Sequence, residues 1–332
     1  MTRFDRRGRR ALAVIKTCME GDDMVELTNA YMTEHCERYI PNAAIPKWNQ
    51  SYYFNFYDRK TRVGGFIRAG ILENMGEVNG FAIFFKDGKP LFTRVNMQLP
   101  YTSDRLDPGL EVAGVRMEAT QSLQTCRIRI DLEDFGADLI WDLRFPMGDS
   151  IVPSTEGDDA IARELAYIHL EGTCNVTGTV RLRSGEVITI DDSGFRDVSC
   201  GPRNWAGVQH YRLAWPIFDN GMACVAVHAI TEHGHSYQKI LHDGKRWHNI
   251  GRVEETIEFE DDDMGFRHVH WKVWDEDENL WEFTGTPLFR WQFPFDTFVM
   301  VEQMMEYRLA DGTIGYGMGE GGFRFPWEGN GN

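Results

Sequence analysis

The chain has 332 residues, 42% of them hydrophobic and 26% charged, enough to bury a sizeable core in one large or two smaller domains. Lys and Arg number 35 against 51 Asp and Glu, a formal net charge of −16. An acidic surface of that size repels phosphate backbones and argues against nucleic acid or an anionic membrane as partner. Aromatic residues reach 13%, with 10 Trp and 21 Phe, which fits either a large β core or a wide aromatic-lined cavity.

The N-terminal stretch carries helical spacing. Leu12, Ile15 and Met19, then Met24, Leu27 and Tyr31, recur every three or four residues. Gly21-Asp22-Asp23 interrupts them and offers a fresh helix cap. Two short helices are expected, ended by Pro41 and Pro46, so residues 1–44 read as an N-terminal helical segment. The basic start has only a short apolar stretch behind it, and no apolar run approaches the roughly 18 residues of a spanning helix. The six cysteines include no C-x-x-C pair and read as reduced thiols of a cytoplasmic protein.

After Trp48 the texture becomes strand-like. The segments 51–58, 65–72, 80–85, 91–99, 110–118, 125–132 and 138–145 are separated by turns about every ten residues. Lys86-Asp87-Gly88-Lys89 is a hairpin turn of the Asp-Gly type. Cys126-Arg127-Ile128-Arg129-Ile130 alternates apolar and charged, which predicts one buried and one solvated face. Residues 149–163 read as a loop, after which strands resume and run to about residue 325. This rhythm predicts a mostly β protein of two antiparallel barrel or sandwich domains, spanning 45–192 and 193–328, rather than a parallel βαβ fold. The acidic runs 258–263 and 275–278 read as solvated turns, lacking the ligand spacing of a calcium loop.

The densest chemistry lies in 190–205, with Asp197 alternating against Arg196 on a strand. Two readings stand side by side. One is a structural Arg–Asp network at the domain junction. The other is a carboxyl facing an apolar cavity, kept protonated by desolvation.

Gly194-Phe195-Arg196-Asp197, followed by Gly201-Pro202-Arg203-Asn204-Trp205, resembles the domain-junction signature of the lipocalin-like carotenoid 1,2-hydratase (hydroxyneurosporene synthase) superfamily, which includes lipocalin-like Diels–Alderases. Trp48 with Ser51-Tyr52-Tyr53-Phe54, His169-x-Glu171 before residues 176–180, and Val301-Glu302-Gln303 leading to Asp311-Gly312 and Glu320 match as well, so the likeness spans roughly residues 45–325. Val198 and Cys200 stand where the family has His and Trp, so Asp197 alone carries over from its acid element. The resemblance implies two lipocalin-like β domains with a hydrophobic site between or within them. It also implies a hydratase, lyase or isomerase (cyclase) that acts on a terpenoid or polyene without cofactor or metal; the alternative is a non-catalytic carrier of a hydrophobic small molecule.

On that reading Asp197 is the acid, with His210 and Tyr211 candidates for placing a water. Trp48, Tyr53, Trp205 and Trp215 offer π surfaces for a carbocation, while Glu73 and Arg196 complete the expected substrate-binding set. The expected partner is a hydrophobic small molecule, with the oligomeric state open between monomer and homodimer. Other signals are set aside. His233-x-His235 and His268-x-His270 lack a third ligand at a motif spacing, so no metal is expected. The G-x-G-x-x-G at 317–322 is followed by extended sequence rather than a helix. Nothing requires Cys200 and His210 to pair as nucleophile and base.

Overall fold

The computed structural model describes residues 42–102, 109–150, 166–202, 205–231, 234–262, 264–295 and 298–325. The predicted N-terminal helices, most of the predicted 149–163 loop, Arg203 and His233 lie outside the described residues.

The described residues contain nineteen strands. The first eleven are β1 (Asn49–Asp58), β2 (Val63–Leu72), β3 (Glu77–Lys86), β4 (Lys89–Pro100), β5 (Leu110–Val112), β6 (Val115–Gln121), β7 (Thr125–Asp131), β8 (Gly136–Leu143), β9 (Gly148–Asp149), β10 (Ile168–Arg181) and β11 (Val187–Gly201). They form one antiparallel sheet in the order β4-β3-β2-β1-β11-β10-β8-β7-β6-β5, with β9 on β10. The sheet rolls round its own apolar core, so that Val112 near one end lies against Gly80 near the other.

The remaining strands are β12 (Val208–Phe218), β13 (Met222–Thr231), β14 (Gly234–Asp243), β15 (Trp247–Phe259), β16 (Phe266–Asp275), β17 (Leu280–Phe295), β18 (Phe298–Leu309) and β19 (Ile314–Arg324). They close into an eight-stranded antiparallel barrel, β19 pairing with β12. Two barrel-like β units are therefore present, as the strand rhythm predicts. The expected boundary at 192/193 falls within β11, which pairs with β1 as far as Gly201 and with β10 as far as Cys200. Among the described residues no helix is long and apolar enough to cross a membrane.

Local sequence explains these elements. The Asp87-Gly88 turn joins β3 to β4 with positive φ at both residues, 51° and 71°, as a type I′ hairpin turn needs. Cys126, Ile128 and Ile130 face the core while Arg127 and Arg129 point outward, and Arg127 pairs with Asp138 across the sheet. Strand β1 does not alternate in polarity because both its faces are covered. Tyr52, Phe54 and Phe56 enter the core of the first sheet, whereas Tyr53 and Tyr57 enter an apolar seam against the barrel. Cys126, Cys174, Cys200 and Cys224 are buried, and burial pushes the Cys174 and Cys224 thiols well above the ordinary thiol range.

The seam joins the two units. Phe85 stacks on Phe289 with centroids 4.2 Å apart, Phe81 meets Phe293 at 4.4 Å, and Phe195 stacks on Trp215 at 4.6 Å. Arg59 bridges Asp192 of the sheet and Asp219 of the barrel, and its guanidinium lies over Tyr316.

Candidate functional site

The seam is not filled along its whole length. Between the outer face of the barrel and the facing side of the first sheet lies a cavity of about 580 Å³, large enough for a drug-sized ligand. Strand alternation selects its walls. From the sheet come Ser51 and Tyr53 of β1, Arg68 of β2, Phe81 of β3, His169 of β10 and Asp197 of β11. From the barrel come Tyr211, Leu213 and Trp215 of β12, Glu302 of β18, and Met318 and Glu320 of β19. The two barrel interiors are packed separately, so the cavity belongs to the junction rather than to either lumen.

Five of the nine predicted site residues meet here: Asp197, Tyr211, Tyr53, Trp205 and Trp215. Trp205 lies 5.6 Å from both Tyr211 and Phe298, and Tyr53 lies 5.7 Å from Trp215, so aromatic faces surround the space. The other four point elsewhere. Arg196 alternates with Asp197 and is fully buried on the core side, over the ring of Phe54. His210 alternates with Tyr211 and faces the opposite way, its ring beside Phe323. Burial, helped by the Arg212 charge, pulls His210 down to about 4, so it is neutral at physiological pH. Trp48 packs on Tyr167 in a small cluster with Ile168 and Cys200. Glu73 sits on a short 3-10 turn near Tyr101. In all four cases the sequence names a residue type that suits a site, while strand parity or position at a strand end turns it away.

The structure adds two acidic groupings that the sequence reading did not assign. The first comprises Glu302 and Glu320, which are cross-strand partners on β18 and β19. Glu302 is 1% exposed and Glu320 8% exposed. The Tyr53 hydroxyl donates to Glu302 Oε2 at 3.1 Å, and the Tyr211 hydroxyl donates to Glu320 Oε1. Burial, followed by the Glu320 charge, raises Glu302 well above the ordinary carboxylate range. Withdrawal from water and a second carboxylate on the facing strand both disfavour the charged form of Glu302. Burial and the same two glutamates raise Tyr53, which stays a neutral phenol.

The second grouping is His169, Glu171 and Asp197. Glu171 and Asp197 face each other across β10 and β11, and His169 Nε2 lies 3.3 Å from Glu171 Oε1 and 3.3 Å from Asp197 Oδ2. Glu171 is fully buried and accepts a hydrogen bond from Ser150 Oγ at 3.1 Å. Burial raises it to about 8, partly opposed by His169.

Both groupings leave a trace in the sequence. Counting outward from the Asp311-Gly312 turn pairs Glu302 with Glu320, and counting outward from Ser184-Gly185 pairs Glu171 with Asp197. A pH prediction follows from Glu302. Its folded value lies above that of an unfolded glutamate, about 4.3. Its contribution to stability is therefore full below about pH 4.3 and is lost as pH rises through the folded value. The charged and titratable groups acting on it are Glu320, Tyr53, Arg68 and Asp197. Urea midpoints measured from pH 5 to pH 8 are expected to fall more steeply for the wild type than for Glu302→Gln. Parallel curves would show that Glu302 is ionised throughout.

Comparison with known proteins agrees with this architecture. The family described as "Domain of unknown function (DUF7064)" matches residues 33–322. A protein from Nitrosomonas europaea assigned as an AttH superposes with a TM-score of 0.61 at 13% identity, over 90% of this chain and 98% of its own. CghA, solved with Sch210972, gives 0.58 at 11% identity over 84% and 89%. Kievitone hydratase from Nectria haematococca gives 0.57 at 12% identity over 89% and 93%. The chain shares the fold of these neighbours. No curated protein matches in sequence.

Proposed function

We propose that this chain, which belongs to the DUF7064 family, is an enzyme that protonates an apolar small molecule in its interdomain cavity, as a hydratase or lyase or as a cyclising isomerase. The observation that carries this reading is the buried Glu302–Glu320 pair, in which burial and the Glu320 charge favour the protonated form of Glu302 beside an aromatic-lined space. Glu302 suits the acid role better than Asp197, because Asp197 already has His169 at 3.3 Å, whereas the group next to Glu302 is another carboxylate. In hydration, the Glu302 proton is transferred to one carbon of a double bond, leaving a carbocation faced by Tyr53 and Trp215. A water oxygen then bonds to the cation, and its released proton restores Glu302. Run backward, the same steps remove water. In cyclisation, a second double bond of the substrate attacks the cation in place of water, and loss of a proton closes the cycle.

The aromatic and apolar walls around Glu302 support a terpenoid or polyene substrate. The neighbour named kievitone hydratase supports water addition as the reaction class. Incubation of the full chain with a terpenoid and polyene panel in heavy-oxygen water tests the reading. Labelled or cyclised product from the wild type, lost in Glu302→Gln, is the expected outcome. Tight binding without product in either protein points to a carrier and overturns the enzymatic reading.

A further inference from the structure

The geometry points to a divalent transition-metal site formed by His169, Glu171 and Asp197 on the cavity wall. One donor atom from each residue lies within 4.8 Å of the other two, and two of the three separations are 3.3 Å. Donors about 2.1 Å from one ion at tetrahedral or octahedral angles stand about 3.0–3.4 Å apart, so two of the three edges already match.

The trio is not a solvated acidic patch. The Glu171 and Asp197 side chains are 0% and 9% exposed, and Glu171 Oε2 and Asp197 Oδ1 have no hydrogen-bond partner among the described residues. Both carboxyls are withdrawn from water beside the His169 imidazole, and a divalent ion would stabilise their charged forms there. The support around the ligands fits as well. Ser150 Oγ fixes Glu171 Oε1, and the adjacent strands β10 and β11 hold all three residues on one face of the sheet. An imidazole with two carboxylates and no thiolate suits zinc, manganese or ferrous iron rather than a soft ion. His169 and Asp197 line the cavity, so the ion's remaining positions face the space where a ligand binds, and they would take a ligand oxygen.

This site is separate from the proton donation assigned to Glu302, and its test does not read turnover. Full-length chain stripped with a chelator is titrated with zinc or manganese by calorimetry, and the electronic spectrum of added cobalt is recorded. One equivalent is expected to bind, and cobalt absorption is expected to show a nitrogen donor. Binding is expected to weaken at least about 100-fold in His169→Gln and in Glu171→Gln. The latter is a near-isosteric change that keeps the fold, which circular dichroism checks. Absence of one-to-one binding would overturn the assignment. So would affinity unchanged in both variants, which would move the ion to surface carboxylates such as those of residues 258–262.

Discussion

Glu302→Gln is expected to lower turnover about 100- to 10,000-fold, the usual contribution of a positioned general acid, while leaving the protein folded. Gln is nearly isosteric with a protonated Glu and, like it, carries no charge. Its amide oxygen still accepts from the Tyr53 hydroxyl, which lies 3.1 Å from Glu302 Oε2. What is lost is the transferable proton. Glu320→Gln makes the instructive comparison. It leaves Glu302 in place but removes the neighbouring charge that helps hold a proton there, so its pH–rate profile shifts downward while activity at low pH survives. A readout that needs no substrate is available. The infrared carbonyl band of a buried protonated carboxyl, present at neutral pH in the wild type, is expected to vanish in Glu302→Gln. Equal turnover in the variant, or a wild-type spectrum without that band, removes Glu302 as the acid.

Trp215→Ala is expected to cost about 3–5 kcal/mol, the range for truncating a large buried aromatic. Trp215 is 1% exposed, stacks on Phe195 with centroids 4.6 Å apart and planes 13° apart, and lies 5.7 Å from Tyr53. It thus belongs to the seam that joins sheet to barrel and also walls the cavity. Its loss opens a void that rigid strands on both sides fill poorly. Denaturant midpoints should fall accordingly, and Trp215→Phe should retain most of the difference. A midpoint within error of the wild type would mean that the seam gains little from this contact.

Much of this organisation is legible in one dimension. The Cys126–Ile130 alternation, the Asp87-Gly88 turn and the ten-residue rhythm each report a local preference that the sheet obeys. The aromatic run of β1 signals a strand covered on both faces. Tyr53, Trp205, Trp215, Tyr211 and Asp197 were nameable because their types and the junction signature point to them. His210 and Arg196 were nameable for the same reason, and strand parity sends each to the face opposite the cavity. Trp48 and Glu73 mark the limit of choosing residues by type, since each finds its partners outside the cavity.

The sequence by itself determined the strands and their turns, because these follow from backbone geometry over short separations. Only the tertiary structure decided that Glu302 of the barrel approaches Tyr53 of the sheet, 249 positions away. Alternation says which side chains share a face but not what that face meets. The upward shift of Glu302 depends on that meeting, because burial, its largest cause, comes only when the sheet closes over the outer face of the barrel.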